Sequence, residues 1–193
     1  MAKPTVKGVE ALKRIGRYLV GVPTLTWHFV EGVETPEAID VIADSDWAGC
    51  RVSRRSTSGR VASVGGCGLK SWSSTQASVA LSSGEADYFL WAEYLSVVKA
   101  AAEGLGIQAI ARDLGWDLRV RLWVDSSAAK AIASGNGLGK IRHLDVWFLW
   151  LQERVASRDL EIRKIAGVAN PADVLTKPKS QREMASLFHT VGV

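Results

Sequence analysis

Two aspartates end two apolar runs. Asp44 follows Ile39-Asp-Val-Ile-Ala43, and Asp125 follows Val120-Arg-Leu-Trp-Val124. Both runs alternate as strands do, and aspartate is disfavoured within strands, so its place at each strand end calls for a reason. If the two strands are neighbours in an α/β sheet, the carboxylates share one cleft. The competing local reason is helix capping, which the run Asp125-Ser-Ser also suits.

The rest of the pattern supplies such a sheet. Strands are expected at 38–43, 59–64, 69–73, 78–81, 118–124 and 160–165, with helices at 84–103, 107–114, 127–133 and 144–156. A short helix is expected to start at Pro171. Hairpin strands followed by alternating helices and strands describe a mixed sheet with helices on its faces. Ahead of it, residues 6–20 repeat apolar positions at helical spacing, with Lys7, Lys13, Arg14 and Arg17 opposite. The pattern after Pro36 is self-sufficient, so residues 1–35 read as the end of a preceding region, 36–180 as one domain and 181–193 as a tail.

Composition narrows the chemistry. Hydrophobic residues at 47% and charged residues at 23% describe a globular chain. No apolar run reaches the ~20 residues of a membrane span, and the N-terminus has no signal-peptide core, which predicts an intracellular, cytoplasmic or nuclear protein that is not secreted. Cys50 and Cys67 make no disulfide framework, and with three scattered histidines no zinc spacing exists. A net charge of +4 suits a polyanionic partner.

Further acids come from two other segments. In Leu81-Ser-Ser-Gly-Glu-Ala-Asp87, Glu85 lies three residues after Ser82, the spacing of a capping box. Asp87 heads the apolar stripe Leu90, Trp91, Tyr94, Val97, Val98 and Ala101. Glu85 instead heads Phe89, Glu93, Ser96 and Glu103, which reads as the solvent face. Asp173 falls in the first turn after Pro171, where the helix dipole alone favours an acid.

Six runs together resemble one family. They are Asp44-Ser-Asp-Trp-Ala-Gly49, Arg54-Arg-Ser-Thr-Ser-Gly59, Ser71-Trp-Ser-Ser74, Ala80-Leu-Ser-Ser-Gly-Glu-Ala86, Val124-Asp-Ser-Ser-Ala-Ala129 and Ala172-Asp-Val-Leu-Thr-Lys-Pro178. In order and spacing they resemble the ribonuclease H domain of copia-type retrotransposon Pol polyproteins. Residues 11–19 are similar to the end of the preceding reverse transcriptase region.

The resemblance implies a ribonuclease H-like mixed five-stranded sheet, with three antiparallel strands and then parallel ones, flanked by helices. It implies hydrolysis of the RNA strand of RNA–DNA hybrids during reverse transcription, with the reverse transcriptase domain of the parent polyprotein as a partner. Carried over by position, Asp44, Asp87, Asp125 and Asp173 would hold two Mg²⁺ ions, for which Mn²⁺ could substitute. Oxygen ligands suit such hard cations. Asp46 stays outside the set. At Asp87 the family has glutamate, and the shorter side chain implies weakened activity or a domain that binds nucleic acid without cutting it.

Substrate contact is expected from Arg51, Arg54, Arg55, Ser56, Thr57, Ser58 and Arg60 on the hairpin. Ser73, Ser74 and Gln76 would meet the DNA strand. Ser126 and His143 complete the expected surface; a solvated basic hairpin is the plainer reading of the arginines.

Overall fold

A computed structural model describes residues 5–24, 26, 36–50, 52–79, 85–135 and 146–191, with the backbone alone for 78–79, 85–90 and 146–148. Five strands form one sheet: β1 (Ala38–Ser45), β2 (Arg55–Val64), β3 (Cys67–Val79), β4 (Arg119–Val124) and β5 (Leu160–Lys164). Their order is β3-β2-β1-β4-β5. The hairpin pairs β1/β2 and β2/β3 are antiparallel, whereas β1/β4 and β4/β5 are parallel. The expected mixed sheet is therefore present. The segment expected as a strand at 69–73 and residues 78–79 of the one expected at 78–81 belong to one strand, β3, and residues 80–81 lie outside the described residues.

Alternation along the strands sorts the two faces. Ile39, Val41 and Ala43 of β1 join Val120, Leu122 and Val124 of β4 under the long helix α2 (Glu85–Asp113), together with Tyr94, Val97, Val98, Ala100 and Ala101. Ile42 and Val61 face the other way, against Ala172 and Val191. Burying a large aliphatic side chain contributes about 1.5–3 kcal/mol, so this two-sided core dominates the stability of the sheet.

α2 runs through the glycines at 104 and 106, where two helices were expected. The reason is a close approach: a Cβ on Gly104 would lie 2.8 Å from Val120 Cγ1 and 3.0 Å from Val41 Cγ2. The glycine that reads as a break lets the helix lie flat on the sheet.

The remaining helices are α3 (Ser127–Ala133), α4 (Val146–Ala156) and α5 (Gln181–His189), with 3-10 turns at Gly167–Ala169 and Pro171–Leu175. α5 opens with a capping box between Ser180 and Glu183. Beyond it the Val191 carbonyl accepts from Gly68 N at 2.7 Å, which ties the end of the chain to β3. α1 (Val6–Gly21) has no buried residue. No helix among the described residues is long and apolar enough to cross a membrane.

Candidate metal centre

The period-two pattern places the first two acids. On β1, Asp40, Ile42 and Asp44 share a face, and on β4, Arg121, Trp123 and Asp125 do. Ala43 pairs with Val124 in parallel register, so Asp44 and Asp125 lie one residue further along adjacent strands. The capping role at this point belongs to Ser126, whose hydroxyl accepts from Ala129 N at 3.1 Å. That leaves the Asp125 side chain to the cleft.

Asp173 arrives on the same side of the sheet as Asp44, the side away from α2, by two devices. Asn170 is fully buried, caps its own turn by accepting from Ala172 N at 3.0 Å, and donates to the Ala43 carbonyl at 3.4 Å. The 3-10 turn is thereby tied to β1. Gly59, opposite Asp44 on β2, supplies the space: a Cβ there would lie 2.8 Å from the Ala172 carbonyl oxygen and 2.9 Å from Leu175 Cβ. A side chain at this position would push the turn off the sheet.

Asp44, Asp125 and Asp173 each offer a carboxylate oxygen within 4.8 Å of the others. Three acidic oxygen donors and no sulfur or imidazole match the preference of hard divalent cations. Asp44 is only 1% exposed. Burial raises its carboxyl to about 6, and Asp173 and Asp125 push the same way, against the Thr176 hydrogen bond and the Lys177 charge. Asp173 is also pushed upward by burial, but hydrogen bonds from Lys177 and Lys179 hold it below the usual carboxylate range.

A residue read as solvent-facing completes the pocket. Glu93 is 6% exposed and lines a cavity of about 380 Å³ with Ser45, Asp46, Trp47, Asp125, Ser126 and Lys177. Burial, then the charges of Asp125 and Asp44, raise its carboxyl to about 8. Ser96, assigned to the same exposed face, is fully buried and donates to the Asp44 carbonyl at 2.8 Å. Both expectations are corrected, because α2 is covered on more than one side. Asp87 belongs to the first turns of α2, and its side chain lies outside the described residues. The tripeptides Ala86-Asp-Tyr88 and Ala92-Glu-Tyr94 repeat one pattern six residues apart. Six residues turn a helix by about 240° beyond a full turn, so the repeat does not place the two acids on one face, and no sequence signal marks Glu93.

The hairpin residues divide sharply. Arg54 and Arg55 are exposed, as is Ser73; Thr57, Ser74 and Ser126 are half-buried. Ser56, Ser58, Arg60 and Gln76, expected to meet nucleic acid, are buried and engaged within the chain. Ser56 accepts from Ala48 N, and Gln76 donates to Ser58 Oγ at 2.8 Å and to the Ala92 carbonyl at 2.9 Å. Arg60 donates to Ser74 Oγ at 2.7 Å and stacks on Trp72. Ser58, Arg60 and Gln76 fasten α2 and the edge strand to the sheet, and Ser56 holds the loop that follows β1. Arg51 and His143 lie outside the described residues. Asp46 accepts from the Thr57 backbone N–H and so holds the hairpin.

Comparison with solved structures decides the fold. LC11-RNase H1, isolated from compost by a metagenomic approach, superposes with a TM-score of 0.55 over 79% of this chain and 99% of its own, at 19% identity. The fold is that of ribonuclease H. RNase H1 of the archaeon Halobacterium salinarum gives 0.50 over 77% of this chain and 98% of its own, at 18% identity. No protein-family model matches the chain.

Among curated relatives, the Retrovirus-related Pol polyprotein from transposon RE1 of Arabidopsis thaliana is 29% identical over 100% of the chain. That from transposon TNT 1-94 of Nicotiana tabacum is 30% identical over 91%. The homologues of this ribonuclease H fold are thus transposon Pol polyproteins, as the motif series implies. The chain spans 13% of the length of each of these relatives.

Proposed function

We propose that this chain is the ribonuclease H unit of a transposon polyprotein, hydrolysing the RNA strand of RNA–DNA hybrids with divalent cations, Mg²⁺ first. The observation that carries the reading is the convergence of Asp44, Asp125 and Asp173 within 4.8 Å. Their sites on two parallel strands and one pinned turn give a rigid, oxygen-only cage. Bound divalent ions would activate water and neutralise charge at the phosphodiester.

The chain's own residues do the rest. Asp44, nearly fully buried, offers an oxygen within 4.8 Å of those of both other acids. A second reading gives the fourth carboxylate to Glu93, which lies outside the 4.8 Å group but is buried on the cavity wall beside Asp125, rather than to Asp87. Exposed Arg54 and Arg55, with Thr57 and Ser73, hold substrate by its backbone, as suits cleavage that reads hybrid shape rather than sequence.

The test is cleavage of a labelled RNA–DNA hybrid with Mg²⁺, beside Asp44→Asn and beside duplex DNA as substrate. Loss of hybrid cleavage in the variant is expected. Equal cleavage by both proteins would refute the assignment.

A further inference from the structure

Residues 176–179 engage every carboxylate oxygen of two cage members. The Thr176 hydroxyl donates to Asp44 Oδ2, and Lys177 Nζ lies 3.2 Å from Asp44 Oδ1 and 2.8 Å from Asp173 Oδ1. Lys179 Nζ lies 2.9 Å from Asp173 Oδ2. The ammonium of Lys177 thus bridges two acids that burial and mutual repulsion would otherwise drive apart. A divalent cation competes for the same lone pairs, and its charge repels an ammonium held within a few ångströms of them.

We infer that Lys177 is an internal counter-cation that holds Asp44 and Asp173 in cage geometry and swings out when a divalent ion binds them. The inference rests on reading the aspartate nest as a divalent-cation site. The departure is sterically open, because the Lys177 side chain is 42% exposed on a flexible four-carbon stem while Asp44 stays put. Lys179, at 19% exposure and on the outer oxygen of Asp173, remains to steady that carboxylate. Lys177 is therefore a positioning residue that favours the assembled cage and weakens its affinity for the ion.

Competition and simple scaffolding predict opposite signs, which makes the idea testable on the full 193-residue chain. Calcium titrated calorimetrically into the wild type, Lys177→Met and Lys177→Arg gives the first readout. Removing a competing cation should tighten Ca²⁺ binding by Lys177→Met about tenfold, a typical coupling between ligands of one site. Lys177→Arg should stay near the wild type. Equal or weaker Ca²⁺ binding by a folded Lys177→Met would overturn the inference and leave the cation site standing. Absence of Ca²⁺ binding in wild type and variant alike would overturn both.

The second readout needs no substitution. Amine acylation of the wild type, followed by mass spectrometry, should show Lys177 protected in EDTA and labelled several-fold faster with saturating Ca²⁺, while Lys7 and Lys13 on the exposed α1 do not change. A Lys177 labelling rate indifferent to Ca²⁺ would equally refute displacement.

Discussion

Gly59→Ala is a one-carbon test of how the cage is assembled. The new methyl would lie 2.8 Å from the Ala172 carbonyl oxygen, 2.8 Å from Thr176 Cγ2 and 2.9 Å from Leu175 Cβ. Carbon contacts settle near 3.5–4.0 Å, so the turn at Pro171–Leu175 must retreat by about 1 Å. Overpacking of this kind costs about 1–3 kcal/mol. For a chain of this size, each kcal/mol lowers Tm by roughly 2–4 °C, which gives a drop of about 2–12 °C. Asp173 rides on that turn, and a 1 Å misplacement near the chemistry can cost about 10²-fold in rate. The assay is thermal unfolding in EDTA together with hybrid cleavage in Mg²⁺. Adding Thr176→Ser removes one methyl contact and keeps the hydroxyl that serves Asp44, so partial recovery is expected; the backbone contact persists. Wild-type Tm and rate in Gly59→Ala would refute the claim that this glycine seats the turn.

Other consequences follow from the same geometry. Glu93→Gln should reduce hybrid cleavage by at least about 10²-fold while Asp87→Asn stays within a few-fold, since misplaced or missing groups at such sites have effects of that order; the reverse ranking, read from single-turnover rates, would return the fourth carboxylate to position 87. Folding keeps a proton on Glu93 up to about pH 8, whereas the unfolded chain releases it near 4.5. The unfolded state therefore binds fewer protons in that window, and metal-free stability falls as pH rises from 4.5 to 8, with a limiting slope of about 1.4 kcal/mol per pH unit. Urea unfolding in EDTA across this range checks the sign, and stability rising with pH would contradict it. Arg54→Ala and Arg55→Ala should weaken hybrid binding and lower the salt slope by about one ion each. Arg60→Ala should instead lower Tm, because its guanidinium is buried on Trp72 and Ser74.

Seating α2 flat on the sheet brings inside residues that look exposed in one dimension. A helix packed on one side shows a single apolar stripe, and Asp87 heads one. α2 is buried more widely, so Glu93 and Ser96 lie inside although their positions carry polar residues. On β2 and β3, Ser56, Ser58, Arg60 and Gln76 are buried, with hydrogen bonds between Gln76 and Ser58 and to Ser74, Ala48 N and the Ala92 carbonyl, while Arg60 Nε has none. A basic, hydroxyl-rich hairpin looks alike in sequence whether its polar groups meet a ligand or the chain itself. Only exposure separates Arg54 and Arg55 from Arg60.

What the chain declares in one dimension is the sheet and its two strand-end acids. Side chains alternate with a period of two, so an aspartate closing an apolar alternation can be placed on a face without knowing its neighbours. Asp173 could be named from its motif, but its meeting with Asp44 needs Asn170 to tie the turn to β1 and Gly59 to make room for it. Lys177 and Glu93 belong wholly to tertiary structure. Lys177 lies 133 residues from Asp44 in the chain, and Glu93 lies on a helix whose facing is set by Gly104 resting on Val41 and Val120. Local patterns report which way a side chain points within its element; which charges then meet depends on how closely the elements can approach.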